Sequence, residues 1–286
     1  MLTRLPSWLR QKAPDPILLD EMEALLDGLS LHTVCEEARC PNQGRCFSKG
    51  TATFLIMGDV CTRNCRFCAV KKGKPLPLDP SEPRSVALAA RKLKLKHVVI
   101  TSVTRDDLSD GGARHFVKTI ESVRQINPQT TIEVLIPDFL GSLEALKIVI
   151  DSSPEVINHN VETVPRLYPD VRPKADYHRS LDLLRAAKSM DKGIVTKSGM
   201  MLGLGESRQE VIEVMSDLRQ VGCDVLTIGQ YLPPSLRHHR LVKYIPPEEF
   251  KEYANIGKQL GFRHVASEPL VRSSFHAAEA FHSAIA

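Results

Sequence analysis

The alternation of apolar and polar positions divides the chain into β-branched runs separated by helical stretches. Strand-like runs are Thr51 to Met57, His97 to Ser102, Thr131 to Ile136, Val156 to Asn160, Gly193 to Leu202 and Asp224 to Gln230. Between them the apolar spacing shifts to helical periodicity over Pro83 to Leu95, Ala113 to Ile126, Ser142 to Ile150, Tyr177 to Met190 and Ser207 to Val221. Strands alternating with helices of this length predict βαβ units around a parallel sheet. Six such units favour a partial or full barrel over an open sheet, though periodicity alone does not decide among them. An amphipathic helix is predicted over Ile17 to Leu31. The tail reads as a helix over Pro247 to Leu260, a short apolar stretch at His264 to Ala266 and a last helix after Arg272. The proline-rich segment Lys71 to Pro83 is a loop, because the alternation continues past it.

Composition narrows the class only modestly. The 286 residues are 42% hydrophobic and 25% charged, and 38 basic against 34 acidic side chains leave a net charge of +4. That excess is too small to indicate nucleic acid, and with 5% aromatic residues and a single tryptophan, Trp8, no stacking platform for bases is evident. No apolar run is long enough to span a bilayer. The N-terminus, MLTRLPSWLRQKAPDP, is too polar and proline-rich for a secretory signal, so a reducing cytoplasm and no membrane partner are expected. Six of the seven cysteines crowd between Cys35 and Cys68, which points to metal or redox chemistry rather than a disulfide framework.

The most informative segment is Cys61-Thr-Arg-Asn-Cys65-Arg-Phe-Cys68, directly after the first strand. Three thiolates on a loop at the C-terminal end of a barrel strand can hold three irons of a [4Fe–4S] cube and leave the fourth open to a ligand. A structural zinc site or a simple electron-transfer cluster is the plainer alternative, but zinc sites favour paired C-x2-C spacing and a fourth ligand nearby. The C-x3-C-x2-C spacing, with Phe67 before the last cysteine, resembles the radical S-adenosylmethionine superfamily. Upstream, Cys35, Cys40 and Cys46 could hold a second cube that is again one ligand short.

Taken together with TSVTRDDLSDGGARHF (101–116), NHNVET (158–163), KSGMMLGLGE (197–206), IGQYLPPS (228–235) and VRSSFHA (271–277), the two triplets closely resemble the lipoyl synthase family. The resemblance implies a partial (β/α)6 TIM-type barrel of the α/β class, with N- and C-terminal extensions closing the open end. The expected division is an N-terminal extension at 1–50, a barrel at 51–235 and a C-terminal extension at 236–286. It also implies two [4Fe–4S] clusters and S-adenosylmethionine. Cys61, Cys65 and Cys68 hold the first cluster. Cys35, Cys40 and Cys46 hold the second, with a serine of Arg272-Ser273-Ser274-Phe275, assigned to Ser273, as its fourth ligand. On the residues alone, the two serines read equally as a cap for the last helix.

The reaction implied is cleavage of S-adenosylmethionine to a deoxyadenosyl radical, hydrogen abstraction at carbons 6 and 8 of a protein-bound octanoyl-lysine, and sulfur insertion from the second cluster. The partners implied are octanoylated lipoyl carriers (acyltransferase subunits of 2-oxoacid dehydrogenases and the glycine cleavage H protein), with ferredoxin or flavodoxin as electron donor. Cys61, Cys65, Cys68, Arg272 and Ser273 carry the chemistry. Candidate contacts to S-adenosylmethionine are Phe67, Thr101 and Ser102, Asn160 and Glu162, Met201 beside the adenine, and Lys174, Arg185 and Lys197 for the carboxylate. Gly203 and Gly205 read as a turn, Cys223 as a buried apolar side chain, Arg237 to Arg240 as a basic patch, and Asp107 as a cap of the next element. A biotin synthase or methylthiotransferase type would take auxiliary ligands from elsewhere, and a two-cluster carrier would have four cysteines per cluster.

Overall fold

The computed structural model describes residues 5–11 and 15–286; parts of the polar N-terminal segment fall outside this range. Eight strands form one sheet: β1 (His32–Thr33), β2 (Thr53–Ile56), β3 (His97–Ser102), β4 (Thr131–Leu135), β5 (Val156–Asn158), β6 (Val195–Leu202), β7 (Val225–Gln230) and β8 (His264–Ser267). They lie in chain order, and the first and last do not pair, so the sheet is an open, partial barrel. From β2 to β8 every pairing is parallel; only β1 is antiparallel, on the β2 edge. The stretch at 264–266 is therefore a seventh parallel strand that continues the barrel. All four residues of β2 and all six of β7 are buried, as in a parallel sheet covered on both faces.

The eight longer helices are α1 (Pro16–Asp27), α2 (Glu82–Lys92), α3 (Ala113–Ile126), α4 (Leu143–Asp151), α5 (Tyr177–Met190), α6 (Arg208–Gln220), α7 (Pro247–Gln259) and α8 (Ala277–Ile285). Each crossover helix turns one apolar stripe to the sheet, as Phe116, Ile120 and Val123 do in α3. Several helices start on side-chain caps. Ser142 and Asp176 cap α4 and α5, and Ser207 with Glu210 closes a capping box at α6. Asp107 does not cap α3; its carboxylate is taken by Arg105, and Asp110 instead accepts the amides of Gly112 and Arg114. No helix among the described residues is long and apolar enough to cross a membrane.

Side chains alternate along a strand, so Val195, Lys197, Gly199 and Met201 share the inner face of β6, as Val225, Thr227 and Gly229 do on β7. The lower part of this inner face is filled by α8, whose Ala280, Phe281 and Ala284 pack on Val156, Val195 and Val225. Above that plug lies a charged layer. Lys197, 1% exposed, donates to both oxygens of Glu133 at 2.8 and 3.0 Å, and the Asn158 amide adds a third bond at 2.9 Å. Burial alone would raise the Glu133 carboxyl, but Lys197 and His97 together outweigh it and hold the group at about 2. The stabilisation from this ionised state is complete above the ordinary value of 4.5 and is lost as pH falls toward about 2. Lys197 is thus spent inside the barrel.

Breaking this pair leaves a buried carboxylate without its counter-charge. Lys197→Ala is expected to cost roughly 3–5 kcal/mol in anaerobic denaturant unfolding, and Lys197→Met combined with Glu133→Leu to regain most of that. A cost below about 1 kcal/mol would show that the pair does not hold the barrel.

A candidate active site at the barrel mouth

The C-terminal ends of the strands open into a cavity of about 530 Å³. Cys61, Cys65 and Cys68 line it, as do Cys35 and Cys40 from the segment before the barrel and Arg272, Ser273 and Ser274 from the segment after it. Cys46 lies beside Cys40, close enough for their charges to interact. The two segments are tied together over the opening. The Asn42 amide donates to the Leu270 carbonyl at 2.7 Å, and the Arg45 guanidinium stands 5.1 Å from the centre of the Phe275 ring. Neither serine caps α8, which begins after His276 with no side-chain cap.

The last segment lies directly on β7. A Cβ at Gly229 would meet the Val271 carbonyl oxygen at 2.0 Å, so only glycine permits that approach. Gly229→Ala is expected to displace 270–275 and lower stability by about 1–3 kcal/mol, with faster limited proteolysis in that segment as the companion reading. Unchanged proteolysis and unfolding would contradict the contact.

Burial dominates the thiols: it pushes Cys35 and Cys68 up to about 12 and raises Cys40, Cys46 and Cys65. Arg172 opposes the rise at Cys65. No three His, Cys, Asp or Glu side chains among the described residues converge on a single-ion site. A cube takes each thiolate on a different iron, so two spread trios, five of whose six cysteines line one cavity with Cys46 beside it, fit clusters better than isolated ions.

Three unpartnered polar atoms belong to residues lining this cavity: Ser102 Oγ, Asn160 Oδ1 and Arg172 Nε. Buried polar atoms are ordinarily satisfied, so these three are candidates to be partnered by a polar ligand. Arg172 is fixed by donation to the Asn160 carbonyl at 2.8 Å and lies over the Tyr168 ring. Asn160 donates to Glu162 at 3.0 Å, and Glu162 holds a left-handed backbone with φ of 66°. Burial raises the Glu162 carboxyl, against Arg172 and Arg272. Burial likewise lowers the Arg272 guanidinium, while Cys40 and Glu162 pull it back. Arg272 is therefore near Cys40 and Glu162, and Glu162 in turn is near Cys65 and Cys68. His159 is held neutral: burial, with Arg172 next, lowers it to about 4.

Of the candidate contacts, Phe67, Thr101, Ser102, Asn160, Glu162 and Met201 line the cavity. The Thr101 hydroxyl is already committed to the Leu135 carbonyl at 2.9 Å. The three carboxylate candidates are not brought there. Lys197 is paired with Glu133 in the lumen, and Lys174 is exposed and donates to the Thr62 carbonyl at 3.0 Å. Arg185 pairs with Asp182 on α5. The cation at the site is Arg172, two residues from Lys174, which carried no sequence signal beyond its charge. Arg63 and Asp138 were also not singled out.

Apart from the Asp107 cap, the minor readings agree with the structure. Gly203 and Gly205 have φ of 103° and 116° in a turn held by the Glu206 carboxylate, and Cys223 is fully buried. His238 and His239 engage different partners, Ser235 and the Arg240 carbonyl.

Comparison with known proteins decides the family. Residues 55–218 match the Radical SAM superfamily, and residues 2–40 match the N-terminal domain of lipoyl synthase of that family. The lipoyl synthase of Caldanaerobacter subterraneus is 60% identical over 277 residues, covering 97% of both chains. That of Caldicellulosiruptor saccharolyticus is 58% identical over 279 residues, covering 98% of both. The chain belongs to the lipoyl synthase family. Among solved structures, SuiB of Streptococcus suis bound to S-adenosylmethionine shares the fold at a TM-score of 0.60 and 15% identity, over 87% of this chain and 60% of that one. Methylornithine synthase shares it at 0.57 and 14%, over 87% and 85%.

Proposed function

We propose that this lipoyl synthase family member inserts two sulfur atoms at carbons 6 and 8 of an octanoyl-lysine on a lipoyl-carrier protein. The observation that carries the reading is that Cys61, Cys65 and Cys68, Cys35 and Cys40, and Arg272, Ser273 and Ser274 line one cavity, with Cys46 beside Cys40. Cys61, Cys65 and Cys68 would hold a [4Fe–4S] cluster open to S-adenosylmethionine, and Cys35, Cys40, Cys46 and Ser273 a second. When bound, these groups supply hydrogen abstraction from an unactivated carbon and the sulfur to be inserted.

The chain's own residues bind and orient. Arg172 offers the free Nε that suits a carboxylate, and Glu162 with Asn160 offers acceptors for an amine or ribose hydroxyls. Met201 and Phe67 form apolar walls for the adenine. Leu232, Pro233 and Pro234 at the rim exclude water and suit an alkyl chain. Holding both reactants in one enclosed space turns a difficult bimolecular step into a local one. A serine oxygen is a harder, more weakly held iron ligand than a thiolate, which suits a cluster that must open. Carriers of the 2-oxoacid dehydrogenase acyltransferase and glycine cleavage H types, ferredoxin or flavodoxin as reductant, and a cytoplasmic setting complete the proposal. So do the extension boundaries at 50 and 235.

Cys61→Ala is expected to abolish S-adenosylmethionine cleavage. Cys40→Ala should retain part of the cleavage and lose sulfur insertion entirely. Deoxyadenosine and peptide mass, measured in the same anaerobic reaction, separate the two; equal loss of cleavage in both variants would reject the division. Ser273→Cys is expected to keep a full iron count and lose sulfur insertion, whereas a carrier of electrons would retain its function.

A further inference from the structure

The segment Thr104-Arg105-Asp106-Asp107 sits at the mouth after β3, and its part in the site lies in how it grips the cysteine loop. The Thr62 amide donates to the Thr104 carbonyl at 3.1 Å, and the Thr62 hydroxyl donates to the same oxygen at 2.9 Å. The Asp106 amide donates back to the Thr62 hydroxyl at 3.1 Å. Arg63, 4% exposed, then spans two carboxylates: Asp106 through a fork at 2.8 and 2.9 Å, and Asp138 at 2.5 Å. Asp138 is fully buried and is also reached by Arg179 at 3.3 Å. The Asp138 side chain accepts the Leu140 amide as well, anchoring this network to the loop after β4. An arginine fork on paired carboxylates fixes direction as well as distance.

The consequence falls on one atom. Two backbone N–H groups, those of Arg63 and Thr104, donate to the Cys61 sulfur, each at 3.4 Å. Both donors belong to the strip that the Thr62 and Arg63 contacts hold in register. Hydrogen bonds to cluster sulfurs stabilise the more negative, reduced state and so raise the reduction potential. We propose that Thr62, Arg63, Asp106 and Asp138 are positioning residues that hold the Cys61 sulfur under the Arg63 and Thr104 amides, and thereby raise the reduction potential of the cluster bound at Cys61, Cys65 and Cys68. The proposal rests on the reading of that loop as a cluster site.

The test is an anaerobic redox titration of the reconstituted protein. It follows by electron paramagnetic resonance the part of the reduced-cluster spectrum that shifts on adding S-adenosylmethionine, with iron content measured beside it. Thr62→Val changes no charge and removes two of the clamp bonds. It is expected to lower the equilibrium constant for reduction about tenfold, which is roughly 59 mV for one electron. Asp106→Ala is expected to lower it as well. Loss of a nearby negative charge alone would raise the potential, so the direction separates lost N–H···S bonds from simple charge removal. Asp107→Asn removes a comparable charge but touches only the Arg105 pair, so it should not lower the midpoint. Midpoints unchanged in both clamp variants at full iron content, or a rise in Asp106→Ala, would overturn the proposal. If Asp106→Ala loses its iron, Thr62→Val alone decides. A wild-type protein with no S-adenosylmethionine-sensitive signal would instead remove the reading of the cluster site, and this inference with it.

Discussion

The contact between the Val271 carbonyl and the backbone of β7 at Gly229 is the constraint on which the mouth depends. It brings a segment more than 200 residues away in sequence against the cysteines that precede the barrel. From there, Asn42 and Arg45 reach across to Leu270 and Phe275, and Arg272 lies between Cys40 and Glu162. That close approach brings Ser273 and Ser274 to the cavity that Cys35 and Cys40 line. Helix α8 reinforces the placement from below, because the chain that leaves the mouth at His276 turns straight into the lumen and is held there by Phe281.

The inner face of the barrel is layered by chemistry. Apolar packing from α8 seals the base, a buried Glu133–Lys197 pair lies above it, and unpartnered polar atoms with the cysteines occupy the top. The ordering follows from strand direction: in a parallel barrel the C-terminal ends carry loops free to vary, while the opposite ends serve packing. The ion pair contributes little to net stability relative to a well-packed apolar pair, yet losing one partner would be costly. The layer therefore separates the plug from the reaction space by a boundary that tolerates no partial change.

Much of this was legible from the residues. Strands β3 and β4 and helices α3 and α5 fall where periodicity puts them, because their β-branched runs and apolar stripes are long and cleanly bounded. The cysteine spacings marked the loop and the extension. Lys197 was misread because a charge in a buried strand announces a partner without saying which, and Glu133 stands 64 residues earlier. Arg172 was passed over for Lys174 because only the short helix after Tyr168 settles which of the two cations turns inward. The Arg63–Asp106–Asp138 network was invisible for the same reason: each partner comes from a different strand end. β8 showed only as a short apolar stretch, since four residues, three of them half-buried, carry too little pattern to declare a strand.

Sulfur insertion from two clusters at one mouth is the central claim. The direct test is anaerobic reconstitution with iron and sulfide, a metal count, and one reaction containing dithionite, S-adenosylmethionine and an octanoyl-lysine peptide. The account predicts about eight irons per chain, deoxyadenosine, and a peptide heavier by two sulfurs. Four irons or fewer with no deoxyadenosine would contradict it.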